Sequence, residues 1–279
     1  MVPRSCRPSV AAALVAISIV PGLHASILIS EPFNYTVGIN LAGQNGGTGF
    51  SGAWDSGNST IVTGFGGSGN AVQIGRVEPA QLRSLSNTAG TSEQPLYFTY
   101  LMNVSTFGAG NFSGLSLWNS TNEVMFFGIP WNRTSFGFDA RAGFGEADIK
   151  TINFTPAANT TYLFALGLLP SITAGKVDVN LWATSDLGVD PAALVAGTAN
   201  ASLLGVKNNF SFNRFGMNGN YSNFSRLAGI AASTNVSQAA ALTVSAVPEP
   251  STWALLLTAG AGALGWRARQ KRSGTRAKN

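Results

Sequence analysis

Cysteine and histidine are almost missing from this chain. Its 279 residues hold one of each, Cys6 and His24, and both sit in the first stretch of the sequence. Without that stretch no disulfide, thiol nucleophile, Ser-His-Asp triad or His/Cys metal or haem centre can form. Charge is scarce too, at 10% of residues. What remains open is carboxylate chemistry and oxygen-ligated calcium, and no EF-hand-like loop speaks for calcium. The apolar runs, Val10 to Val20 and Thr252 to Trp266, both fall short of the roughly 20 residues of a full membrane span. The residues therefore assign no catalytic group, no metal and no cofactor, and a non-enzyme is expected.

The formal charge of +5 belongs to the ends. Arg4 and Arg7 contribute two units and residues 247–279 contribute five, while the middle carries nine bases against eleven acids. A high pI of this origin makes no case for nucleic-acid binding.

Met1 to Ala25 reads as a secretory signal: Arg4 and Arg7, then the apolar run, then Pro21-Gly22 and a small residue before a cut between Ala25 and Ser26. Sec-type export machinery is the implied partner. At the other end Val247, Pro248, Glu249, Pro250 and Ser251 precede an apolar run, 252–266, with Trp253 and Trp266 near its two ends. A basic tail, 267–279, follows, with Arg267, Arg269, Lys271 and Arg272 as the stop. The prolines keep a helix from starting before them, the indoles suit a membrane interface, and the basic tail stays cytoplasmic. A 15-residue helix spans only about 22 Å, which suits a single membrane helix that is held and later removed.

This order and spacing resemble the PEP-CTERM sorting signal of Gram-negative bacteria. The same tail is also called the ice-binding protein C-terminal domain, a label that implies no ice binding. The resemblance implies an exosortase-type membrane peptidase that cuts near the Pro-Glu-Pro block. It also implies an inner-membrane-anchored intermediate, then a cell-surface or extracellular-matrix location amid exopolysaccharide or biofilm.

The body, 26–246, reads as one all-β sandwich. Strands are expected at 98–104, 115–118, 124–129, 135–140, 149–154, 162–169, 176–182 and 209–217, and Leu242 to Val244 is read as a closing strand. Residues 162–169 are apolar on both faces, as a central strand should be. In 176–182, Val177, Val179 and Leu181 alternate with Asp178, Asn180 and Trp182. No sustained helical periodicity appears outside the termini.

Ser30 to Trp54 is a short strand followed by a Gly- and Asn-rich loop that ends on an aromatic anchor. With its Glu31-Pro32-Phe33 and Gly46-Gly47-Thr48-Gly49-Phe50 steps it resembles the opening of exported LamG-like, concanavalin A-like jelly rolls. The Leu181-Trp182 strand with its polar loop fits the same pattern. Tyr221 to Ile230 departs from it, since Ser225 and Arg226 replace an acidic pair.

Three functional readings follow: a non-enzymatic structural or adhesive surface protein, a carbohydrate-binding lectin-like module, and, ranked last, a glycoside hydrolase. The hydrolase rests on Glu146 and Asp148, two carboxylates that alternation would place on one face; Lys150 and Thr151 stand where a third acid would be. Trp54 and Trp118 are assigned to the core, and Trp131 is a further aromatic. Trp182, on the polar face of its strand, is the expected glycan-stacking residue. Thirteen Asn-x-Ser/Thr sequons, against about four by chance, raise N-glycosylation as an expectation.

Overall fold

The computed structural model describes residues 27–244, apart from 66–68, 76, 91–93, 109, 142–147, 207–210 and 221–224. The expected signal helix, its cut at Ala25 and Ser26, the motif Val247 to Ser251, the apolar run and the basic tail lie outside these residues. Among the described residues no helix is long and apolar enough to cross a membrane.

Two antiparallel sheets form a sandwich. The first holds β1 (Ile27–Glu31), β2 (Thr60–Thr63), β3 (Asn70–Gln73), β5 (Leu96–Val104), β10 (Thr161–Pro170), β11 (Val177–Thr184), β12 (Ala201–Leu203) and β14 (Ser225–Ser233). Its order is β12-β11-β10-β5-β14-β3-β2, with β1 also paired to β14. The second holds β4 (Val77–Gly90), β6 (Ser113–Asn119), β7 (Asn122–Ile129), β8 (Gly137–Asp139), β9 (Ile149–Thr151) and β13 (Ser211–Gly219), in the order β4-β13-β6-β7-β8-β9. The strands expected from alternation are found, with 135–140 shortened to Gly137–Asp139 and 149–154 to Ile149–Thr151, and the doubly apolar β10 lies inside its sheet between β11 and β5.

One main core fills the space between the sheets. Phe98 and Tyr100 of β5 meet Phe127 of β7 at ring-centroid distances of 5.5 and 5.6 Å. Phe164, Leu166, Leu115, Leu117, Phe138, Phe212 and Phe215 complete it, all fully buried. Each such side chain contributes about 1.5–3 kcal/mol by leaving water.

Two short helices, α1 (Pro191–Ala196) and α2 (Val236–Val244), lie on the outer face of the eight-stranded sheet. The reading of Leu242 to Val244 as a strand is corrected here: they end α2. Val236, Ala239, Ala240 and Thr243 are all buried, and their i, i+3, i+4, i+7 spacing is a helical stripe. The stripe is easy to miss because two of its members are alanine. Thr243 Oγ1 lies 2.7 Å from Thr99 Oγ1 of β5. Gly229, at φ 53°, leaves room for the Thr243 carbonyl, 2.6 Å from where a Cβ would stand.

The opening segment closes over a buried ion pair. Glu31, at the end of β1, and Arg83, in β4, are 0% and 1% exposed. Arg83 Nη1 donates to Glu31 Oε2 at 2.6 Å, and Trp54 Nε1 and Tyr35 OH donate to the same oxygen at 3.1 and 3.0 Å. The Phe33 amide donates to Oε1. Burial pushes the Glu31 carboxyl pKa up, while the Trp54 and Phe33 hydrogen bonds, Arg83 and Tyr35 pull against it. The guanidinium also donates to the Gly52 carbonyl and Asn45 Oδ1 and lies 4.1 Å from the Phe50 ring centroid.

The glycines let the loop pass close enough to do this. Gly49 has φ 87°, and a Cβ there would overlap the Leu28 carbonyl oxygen. Gly49→Ala is therefore expected to cost more than the about 1–2 kcal/mol of the backbone conformation alone. A denaturant titration measures this.

Candidate functional site

The outer face of the six-stranded sheet is built by alternation. Leu115, Leu117, Met125, Phe127, Phe138, Phe215 and Met217 point into the core. Ser116, Trp118, Phe126, Asp139, Arg214, Gly216 and Asn218 therefore project the other way. Register places Gly216, Ser116, Phe126 and Asp139 side by side across β13, β6, β7 and β8. Both helices cover the other sheet.

Glu123 and Asp139 share one cation. Arg141 Nη2 lies 2.7 Å from Glu123 Oε2, and Arg141 Nη1 lies 3.0 Å from Asp139 Oδ2. Arg141 has φ 50°, and its amide donates to Asp139 Oδ1 at 3.0 Å, so the turn itself aims the guanidinium. Burial raises the Glu123 pKa above the usual carboxylate value. Arg141 and Asn218 oppose that rise, and the neighbouring Asp139 charge adds to it. Arg214 is held in a close ion pair with Asp55.

These pairs leave hydrogen-bonding capacity unused. Glu123 Oε1, Arg141 Nε, Arg214 Nε and Asn218 Oδ1 are buried without a partner. Two are acceptors and two are donors. They are half of the eight such atoms among the described residues. Each costs about 1–3 kcal/mol while unpaired, and their burial keeps them out of reach of a ligand in solvent.

An aromatic line runs beside them. Phe126 contacts Phe112 at 6.0 Å, and Phe112 contacts Trp131 at 5.5 Å, both edge-on. Asn220 Oδ1 accepts from the Phe112 amide at 2.9 Å and fixes that residue. Trp131 ends the line, 55% exposed.

The tryptophans thus differ from expectation. Trp54 is core, as expected. Trp118, assigned to the core, lies half-buried on the outer face and donates to Ser116 Oγ at 2.7 Å. Trp182 does leave its sheet on the outer side, but it is only 5% exposed. It packs with Ala165 and Val236, and its indole donates to the Gly197 carbonyl. That side is covered by helices, so Trp182 offers no ring face for stacking.

Glu146 lies outside the described residues. Asp148 lies just before β9, and its carbonyl accepts from the Ala140 amide. Ser225, which replaces an acid of the resembling pattern, is buried against Ser113 in a close hydroxyl contact. Glu123, Arg141, Arg214, Asn218 and Phe112 were not singled out from sequence. Asp139 had a signal, since it alternates with Phe136 and Phe138, but pairing across strands was needed to gather the rest.

Residues 246–272 match the family model of the PEP-CTERM protein-sorting motif, which agrees with the reading of the tail. No curated protein matches the chain. Among solved structures, the chain is similar to the T. cruzi calreticulin globular domain (9% identity, 88% of this chain and 100% of that one, TM-score 0.47). It is also similar to domain 4 of an extracellular arabinanase from Geobacillus stearothermophilus, solved in complex with arabinotriose (11% identity, 78% and 98% covered, TM-score 0.45). A third is Trypanosoma rangeli sialidase in complex with the inhibitor DANA (10% identity, 66% and 29% covered, TM-score 0.37). The chain spans less than a third of that sialidase. These likenesses say nothing of what this chain binds.

Proposed function

We propose that this is an exported, non-enzymatic sandwich protein, sorted through its C-terminal motif by an exosortase-type peptidase and delivered to the cell surface or extracellular matrix. There the outer face of the six-stranded sheet contacts a saccharide of the surrounding exopolysaccharide, as a lectin-like module within a structural role. The observation that carries this reading is the ring of Trp131, 55% exposed and braced edge-on by Phe112. Sugar rings combine an apolar face, which stacks on aromatic rings, with hydroxyls that both donate and accept. A hydrolase is disfavoured on this face, because Glu123 and Asp139 are both engaged by Arg141, whereas glycoside hydrolysis needs an acid and a base with separate tasks.

Trp131→Ala is the direct test. Affinity electrophoresis in gels carrying polysaccharides should show binding weakened about tenfold or more, since stacking and apolar burial are both lost. The thermal midpoint should stay put, because the ring is 55% exposed. Unchanged retardation by every bound polysaccharide would refute the assignment of this face.

A further inference from the structure

We infer that the saccharide site extends past Trp131 into a cleft at the β8–β9 edge of the six-stranded sheet, and that this cleft holds the sugar unit next to the one stacked on the indole. This rests on the saccharide reading above.

One exposed indole accounts for stacking but not for the hydroxyls of a sugar. The unpaired atoms of Glu123, Arg141, Arg214 and Asn218 cannot serve them, because they are buried. Groups that can do so must be polar, exposed and close to Trp131. The β8–β9 edge carries such a set. Gly137 pairs with Thr151, and the Ile152 amide donates to the Phe136 carbonyl at 3.0 Å. The chain after β9 therefore runs on beside residues 134–136. The two segments line a cleft of about 390 Å³, within the roughly 300–1,000 Å³ of small-ligand sites.

The floor of this cleft is apolar. Ile152 and Pro156 are buried, and Phe154 is half-buried with its ring centroid 6.0 Å from that of Tyr162. The rim is polar: Thr134, Asn153 and Thr155 line it, and all three are exposed. Asn153 Oδ1 accepts from Asn200 Nδ2 at 3.2 Å, which leaves Asn153 Nδ2 as the donor for a ligand. The threonine hydroxyls both donate and accept. The Ser135 hydroxyl is buried and takes no part. None of the lining residues is charged. Arg133, in the turn beside the cleft, donates from Nη1 to the Asn132 carbonyl. Recognition in the cleft is thus by hydroxyl hydrogen bonds above an apolar floor, which suits the two faces of a sugar ring.

Trp131 and Thr134 belong to one tight turn. The Arg133 amide donates to the Pro130 carbonyl at 3.2 Å, and Asn132 has φ 58°. Three residues of chain reach at most about 11 Å. One ring of a glycan can therefore enter the cleft while its neighbour stacks on the indole.

The experiment uses the exported protein in native gels carrying dextran, mixed-linkage β-glucan, galactomannan or alginate. The monosaccharide and the tetrasaccharide of whichever polymer retards wild type are then added as competitors. The tetrasaccharide is expected to release the protein at a concentration about tenfold or more lower, since it alone fills both places. The double variant Asn153→Ala/Thr155→Ala should weaken retardation about tenfold, and the dependence on competitor length should shrink with it. Thermal melts check that the variant folds. If it does not, Thr134→Val/Thr155→Val, which keeps the shape and removes only hydroxyls, should show a smaller loss of the same sign.

The inference is overturned if a folded variant is retarded like wild type, or if the monosaccharide competes as well as the tetrasaccharide. If Trp131→Ala weakens binding and the cleft variants do not, the saccharide reading stands and only this inference falls. If wild type is retarded by no polymer, the reading itself fails and takes the inference with it. Thr134 and Thr155 are also the third positions of the Asn132 and Asn153 sequons. A glycan attached at either asparagine would fill the cleft, so added mass mapped to one of them in protein from the native host overturns the inference as well.

Discussion

Glu31→Gln is expected to lower unfolding stability by about 3–5 kcal/mol, a drop in thermal midpoint of about 10 °C for a domain of this size. The substitution keeps the side-chain shape and removes only the charge. Arg83, 1% exposed, then lies in the interior without a counter-ion. Oε2 is the shared acceptor of Arg83, Trp54 and Tyr35, so all three donors feel the change. Through Tyr35, whose hydroxyl accepts from the Gly46 amide, the loss reaches the glycine loop. The paired replacement Glu31→Leu/Arg83→Met should recover much of the stability, because removing both charges leaves no ion stranded. Thermal melts of wild type, Glu31→Leu, Arg83→Met and the double form a complete cycle. A Glu31→Gln protein that melts with wild type would show that the pair contributes nothing to the fold.

Replacing Pro248, Glu249 and Pro250 by alanine is expected to abolish C-terminal processing altogether. The described fold ends with α2 at Val244, only four residues before Pro248. That length of chain reaches at most about 14 Å. A peptidase cutting near the motif must therefore work close against the outer face of the eight-stranded sheet, where α2 is held by Thr243 on Thr99. Pro248 and Pro250 disfavour helix at the residues that precede them, and alanine at these positions removes that restriction. Intact mass with C-terminal peptide mapping of protein from the native host reads the outcome. Wild type should begin near Ser26 and lack the residues after about the motif. The variant should keep Thr252 to Asn279 and stay in the membrane fraction. A wild-type protein that also keeps them would make this a plain anchored protein. Extra mass on the wild-type sandwich would report modification of its sequons. Asn34, Asn119 and Asn132 are exposed enough to be acceptors.

The glycine-rich opening shows how far local pattern reaches. Its turns and its aromatic anchor Trp54 are readable because glycine and asparagine are local signals. That the loop exists to enclose Glu31 was not readable, because the partner, Arg83, lies 52 positions away in β4. The strands of β5, β7, β10 and β11 declare themselves by alternation, and the sorting tail by order and spacing alone.

Sequence by itself thus determined that the chain carries a sorting motif and that its body is a sandwich, since both rest on residue type and short-range period. Tertiary structure decided which faces are open. Alternation says that Trp182 and Trp118 each leave the core side of a strand, but not which sheet a helix will cover. Two small helices, the second with a stripe half made of alanine, bury Trp182. The opposite sheet leaves Trp118, Trp131 and the Glu123–Arg141–Asp139 cluster facing outward. That cluster comes from two strands and the turn that follows one of them, each brought together by cross-strand register over a distance no periodicity in the chain records.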